Sequence, residues 1–386
     1  MTEYESSLEK FQETVKMTRR LANFCGMDVL ADNYKPNLRT ALTLIGGCSY
    51  LVTGMYSAWI FYPNIYESLQ AVAPLGMALQ GMMKMYSAIV YRSFFYGRQQ
   101  YLEDFHRTYV ECPQYNAALV SLMRKMQLAI KLLILSYLIA IAGFGLYPLY
   151  FYLIYGEKTL ALNVLIPGVD ARTYWGYVCT LAYQMFLLAL AINGITAYDT
   201  AMMIFICNLA GLVDVYKIKL RELDALLMAT KRSPVKIHDK LREIVIEHYE
   251  IFRYESELDK RYIVVNFVQV ASSVACLTLS LFLCYMTNYL PGYAFIIGAV
   301  FQLLEFCLLG TIFSVKNDDV IVAIYDISWY LLDRSDIKML NFMFHRSQNS
   351  VNLTIGGFAP LNIEVFVEIM KTIYQYFAML IRFMEP

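Results

Sequence analysis

The strongest constraint on this chain is how long it runs without charge. A helix needs roughly 20 apolar residues, at about 1.5 Å each, to cross a bilayer. Runs free of Asp, Glu, Lys and Arg cover Thr40–Tyr66, Leu132–Gly156 and Thr173–Tyr198; Ser68–Tyr91 is broken once, by Lys84. Tyr262–Leu304 is about two membrane thicknesses long and contains Thr287-Asn288-Tyr289-Leu290-Pro291-Gly292, a turn signal. This predicts helices over 262–286 and 292–314, with Glu305 inside the second. A last apolar segment, 358–381, carries Glu364, Glu368 and Lys371.

The reading is an all-α membrane protein with seven transmembrane helices. One domain, 1–386, is expected: a polar segment 1–37 with no signal peptide, helices one to six within 38–314, an inner part of the seventh helix at 320–350 and its outer part at 357–382. Composition agrees. Hydrophobic residues make up 58% and charged residues 17%, against roughly 45–50% and about 25% in soluble domains. A disordered chain, a disulfide scaffold and a nucleic-acid binder are excluded, and a soluble enzyme fits poorly.

The zero net charge hides an asymmetry. Lys and Arg number six in 1–40, five in 91–125, eleven in 207–261 and four in 315–348. The opposite side holds only Lys158, Arg172 and Arg382. Cytoplasmic loops carry the excess of Lys and Arg, which predicts a cytoplasmic N-terminus and an extracellular C-terminus. None of the eight cysteines falls in the outer loops 63–68, 157–172 or 287–291, so no exterior disulfide is expected. The sequon Asn352-Leu353-Thr354 lies on the inner side and is expected to be unused.

Enzyme chemistry finds no footing. The four histidines, His106, His238, His248 and His345, are scattered over polar segments and read as solvated surface. No metal-ligand spacing, phosphate loop or nucleophile elbow is present, and no cofactor is implied. Residues 199–230 and 235–261 keep apolar residues at helical spacing and are interrupted at Lys231-Arg232-Ser233-Pro234. They extend helices four and five into the cytoplasm, as a solvated connector or as an assembly platform.

Charges inside the spans are the candidates for mechanism. Lys84 and Glu305 lie at similar depth in two helices of the same direction. Each costs roughly 2.5–3.5 kcal/mol at a bilayer centre when alone. They are expected to interact or to share a polar cavity; the alternative is separate snorkelling or backbone partners. On the seventh helix Glu364, Glu368, Lys371, Gln375, Met379 and Arg382 form one stripe. It faces helix neighbours through salt bridges, or lines a wet pore with a hydrophobic constriction.

The end of the chain carries a resemblance. Arg346-Ser347-Gln348, Leu353-Thr354-Ile355-Gly356-Gly357-Phe358, Pro360-Leu361-Asn362, Phe366, Lys371-Thr372, Tyr374 and Tyr376-Phe377 follow one another. This resembles the C-terminal signature of insect odorant receptors, and the length and inverted topology match too. The resemblance implies an odorant-gated, non-selective cation channel in the plasma membrane of olfactory sensory neurons. Four subunits then surround one pore lined by the outer half of the seventh helix. A tuning subunit joins the odorant-receptor coreceptor in a heterotetramer. The coreceptor has a much longer loop between helices four and five, so this chain resembles a tuning subunit.

Carried onto this sequence, the gate falls at Met379 and a polar pore position at Arg382, beside Gln375. Arginine departs from the coreceptor's uncharged residue, and four such rings repel cations. The implied ligand, a small volatile molecule, sits between helices two, three, four and six. Those segments offer Met77, Gln80 and Gly81; Ala140, Gly143 and Tyr147; Tyr183 and Leu187; and Tyr293 and Ile297. Enclosed apolar and aromatic walls with few polar groups suit such a molecule. Two other readings stand beside this one. A gustatory receptor shares the architecture, but its usual Thr-Tyr…Gln-Phe pattern is not reproduced. A G-protein-coupled receptor needs the opposite orientation, and its Asp-Arg-Tyr and Asn-Pro-x-x-Tyr motifs are absent.

Overall fold

Helix ends follow local chemistry along the whole chain. Asn37 and Thr40 form a reciprocal capping box at the start of one helix. Prolines at 113 and 234 occupy first turns, where their missing N–H has no cost. Left-handed caps at Gly156 and Asn288 end the same two helices. The computed structural model describes residues 5–32 and 34–384. In chain order the helices are α1 (Ser7–Phe24), α2 (Leu38–Phe61), α3 (Ile65–Val72), α4 (Leu75–Val90), α5 (Arg92–Tyr109) and α6 (Pro113–Tyr155). They continue as α7 (Tyr174–Met228), α8 (Pro234–Thr287), α9 (Leu290–Tyr325), α10 (Arg334–Ser347) and α11 (Ile363–Met384).

Five of these, α2, α6, α7, α8 and α9, are long and apolar enough to cross a membrane. The other two expected spans differ in kind. The stretch 68–91 is not one helix: it breaks before Leu75, where Pro74 cannot donate an amide hydrogen. The seventh, α11, is 22 residues long and amphipathic. The all-helical architecture is as expected from the charge-free stretches.

At the centre stands α7. Every residue from Gly194 to Val213 is buried, so this segment shows no solvated face. Helices α1, α6, α8 and α9 pack around it. The sequence pattern showed only one apolar stripe beyond residue 199. In the fold the extension is instead the core, because small and polar residues such as Thr200, Asn208 and Gly211 are also enclosed.

Two histidines expected at the surface are inside. His106 is wholly buried, stacks on Phe11 at 4.9 Å and has Nε2 2.8 Å from Asn208 Oδ1. His248 is buried beside Tyr216. Burial pushes both imidazoles down to about 4. Charged neighbours in sequence concealed this, since α1 and α10 arrive from far along the chain.

The C-terminal signature builds a hinge-like clip. Strands β1 (Thr354–Ile355) and β2 (Ala359–Pro360) pair antiparallel. Gly356 and Gly357 turn between them at φ +61° and +79°, a region open to glycine at little cost. Asp259 Oδ1 accepts from both the amide and the hydroxyl of Thr354, and Asn266 donates to the Thr354 carbonyl. The clip is thereby tied to α8. A Cβ on Gly310 would lie 1.8 Å from the Leu361 carbonyl oxygen, so α9 also admits the clip only through a glycine. From it α11 runs along α8 and α9.

Candidate ligand-binding site

A cavity of 160 Å³ lies between α2, α4, α6, α7 and α9. One water needs about 10–15 Å³ on the same measure, so the space suits a small molecule. Its walls are almost entirely carbon and sulfur: Met77, Met82 and Met85 from α4, Phe144 from α6, Leu187 and Ile195 from α7, and Phe295 from α9. Glycines 46, 47, 81, 194 and 298 leave the volume open. Met27, ahead of α2, and Leu162, between α6 and α7, close it from segments outside the expected spans.

The structure brings four of the ten candidate ligand residues to this cavity: Met77, Gly81, Ala140 and Leu187. It places six elsewhere. Gln80 is buried away from the cavity, where its amide donates to Ser272 and Ser273 and fastens α4 to α8. Gly143 meets Ala294, whose Cβ would lie 2.7 Å from an added Cβ, so it seals α6 against α9 rather than leaving room. The Tyr147 ring lies tilted against Phe151, with centroids 5.0 Å apart. Tyr183 shares a hydrogen bond with Ser49 at 2.9 Å, joining α7 to α2. Tyr293 and Ile297 face outward and are exposed; their neighbours Phe295, Gly298 and Ala299 line the wall instead.

Below the cavity the same helices hold a buried charge cluster. Lys84 Nζ lies 2.6 Å from Asp199 Oδ1, with the two side chains 1% and 0% exposed. The Tyr137 hydroxyl donates to Asp199 Oδ2 at 2.9 Å, and the Gln302 amide reaches the same oxygen at 3.3 Å. The Lys84 ammonium also stands 4.9 Å over the Phe306 ring. The expected partner of Lys84 was Glu305; the ion pair forms with Asp199 instead. Glu305 is buried in the same region, but neither of its oxygens has a hydrogen-bond partner. The charge-free stretch that marks the fourth span ends at Asp199, although α7 continues through it unbroken.

On α11 the whole stripe is exposed on the isolated chain: Glu364, Glu368, Lys371, Gln375, Met379 and Arg382. The opposite side buries Ile369 and Ile373. Among the described residues none of the stripe's charged side chains enters an ion pair, so the salt-bridge alternative has no support within the subunit.

Residues 64–374 match the family model described as 7tm Odorant receptor. The chain belongs to the 7tm odorant receptor family. This receptor is 23% identical over 389 residues to a Drosophila melanogaster protein that carries the name odorant receptor 83c, covering 97% of this chain and 98% of that one. It is 26% identical to odorant receptor 10 of Aedes albopictus over 62% of this chain and 63% of that relative. The Drosophila odorant receptor coreceptor matches at 20% over 40% of this chain and 32% of its own length. The solved insect olfactory receptor OR5 of Machilis hrabei, in complex with eugenol, superposes with a TM-score of 0.77 at 13% identity, over 96% of this chain and 99% of that one. The fold is therefore that of an insect olfactory receptor. The family and its structural relatives are receptors, not enzymes.

Proposed function

We propose that this chain is the odorant-binding subunit of a ligand-gated, non-selective cation channel, with the cavity as its odorant site. The observation that carries the reading is an apolar cavity of 160 Å³ whose walls come from five helices of the bundle. The eugenol bound by the Machilis receptor is a molecule of this scale, and that receptor shares the fold. The chain resembles tuning receptors over nearly its full length and the coreceptor over less than half. It assembles in a heterotetramer with the coreceptor, in the plasma membrane of olfactory sensory neurons. The excess of Lys and Arg in one set of loops supports a cytoplasmic N-terminus and an extracellular C-terminus. Lipid then surrounds outward-facing residues such as Leu132, Leu135, Tyr293 and Ile297, which are large, apolar and exposed.

The free face of α11 lines the pore, with Gln375 in the conduit, Met379 at its constriction and Arg382 at the outer mouth. A stripe of charged residues turned away from its own bundle supports this, because lipid is a costly environment for it. The test is co-expression with the coreceptor and recording of odorant-evoked current, with Ala140→Trp as the cavity-filling variant. Wild-type receptor responds and Ala140→Trp, present at the surface, does not. Unchanged responses in Ala140→Trp remove the cavity as the site, and current without the coreceptor removes the obligate partnership.

A further inference from the structure

Cavity and charge cluster meet at one side chain. Tyr137 lines the cavity and also donates its hydroxyl proton to Asp199. The same helices step from wall to cluster within about a turn: Gly81 to Lys84 on α4, Ile195 to Asp199 on α7, and Ala299 to Gln302 on α9. The cavity therefore has apolar sides, and Tyr137 joins its wall to the polar cluster.

The direction of the Tyr137 hydrogen bond sets what this side chain can offer. Its proton is held by a carboxylate, and such charge-assisted bonds are roughly twice as strong as neutral ones. A ketone or ether oxygen does not win that proton from Asp199. The phenolic oxygen retains lone pairs and accepts. The other hydroxyls at the wall do not reverse this. Thr43 already donates, with the Cys25 and Arg39 carbonyls each 3.0 Å from its oxygen. The Tyr50 hydroxyl has no partner, but its oxygen is fully enclosed by protein and out of reach from the cavity.

We propose that Tyr137 reads the ligand as a hydrogen-bond acceptor. The cavity then takes small apolar molecules bearing one O–H donor, alcohols or phenols, in preference to the ketone, ester or ether of the same shape. This rests on the cavity being the odorant site. A ligand O–H bound to Tyr137 lengthens a chain that already runs through Asp199 to Lys84, so occupancy is felt by the ion pair.

The test uses wild-type receptor with the coreceptor and a panel pairing aliphatic and aromatic alcohols with their ketones and methyl ethers. One hydrogen bond of ordinary strength predicts alcohols more potent by about 5- to 10-fold. Tyr137→Phe keeps the ring and removes the acceptor; it erases the preference by weakening the alcohols alone. Ketones or ethers as potent as the alcohols on wild-type receptor overturn the proposal, with no variant needed. Activation confined to molecules without a donor does the same. An equal loss for all ligands in Tyr137→Phe, against an intact surface level, also overturns it. The Ala140→Trp variant separates the two layers. Responses that survive it refute the site itself, whereas its silence together with a uniform Tyr137→Phe effect refutes only the donor rule.

Discussion

Removing Lys84 is far more damaging than removing Asp199, although the two are partners. At 2.6 Å their attraction is roughly 6 kcal/mol at an effective dielectric near 20, largely offset by the cost of taking both out of water. Lys84→Met leaves the buried Asp199 carboxylate with no cation and is expected to cost about 3–5 kcal/mol. Asp199→Asn leaves Lys84 with the Glu305 carboxylate still in the cluster, and its expected cost is about 1–2 kcal/mol. Lys84→Met combined with Asp199→Asn removes the pair and should return to within about 2 kcal/mol of wild type. Glu305→Gln alone replaces a buried carboxyl that has no hydrogen-bond partner and is expected to be neutral or stabilising. Thermal denaturation of the detergent-solubilised receptor measures the series, and the signature is strong non-additivity between positions 84 and 199. Additive single effects, or equal costs for Lys84→Met and Asp199→Asn, refute the reasoning.

Three further outcomes are expected. Gly356→Ala forces a side chain onto a backbone at φ +61°, with the new Cβ 3.0 Å from the Phe267 ring, and should lower stability by about 1–2 kcal/mol in the same melting assay. Burial pushes Glu255 up to about 8 from 4.5, so the folded state keeps a proton that the unfolded chain has released. Stability attributable to Glu255 is full below about 4.5 and is lost as pH rises toward 8; Glu255→Gln should flatten that decline, and identical pH–melting curves contradict it. Arg382→Gln should raise current or cation preference in channels formed with the coreceptor, and an unchanged current counts against a pore-facing Arg382.

Much of the fold was legible because burial in this chain is written as absence of charge. Five long helices, the turn at Asn288 and the break at Pro234 follow directly. The face of α11 was legible for a second reason: one side is polar and the other is Ile369 and Ile373, so its phase is unambiguous. On α9 the phase was not legible. That helix is apolar on its packed and its outward sides alike, so Tyr293 and Ile297 could not be told from Phe295, Gly298 and Ala299. Closure of the cavity by Met27 and Leu162 comes from segments that carry no periodicity, and no local pattern marks them. Asp199 was hidden by the rule that found everything else, since a single acid inside a buried helix looks the same as the end of one.

The unbroken course of α7 has a mechanical consequence. It is 55 residues long, about 80 Å of rod. Leu187 touches the cavity near one end, Asp199 holds the ion pair, and Lys219 farther along bridges Glu243 and Glu247 of α8. Long helices bend gently but scarcely compress. No loop interrupts this one to absorb a displacement. A shift of a few tenths of an ångström imposed beside the cavity is therefore expected to pass along the rod, moving its far end as a plunger rather than as an independent domain.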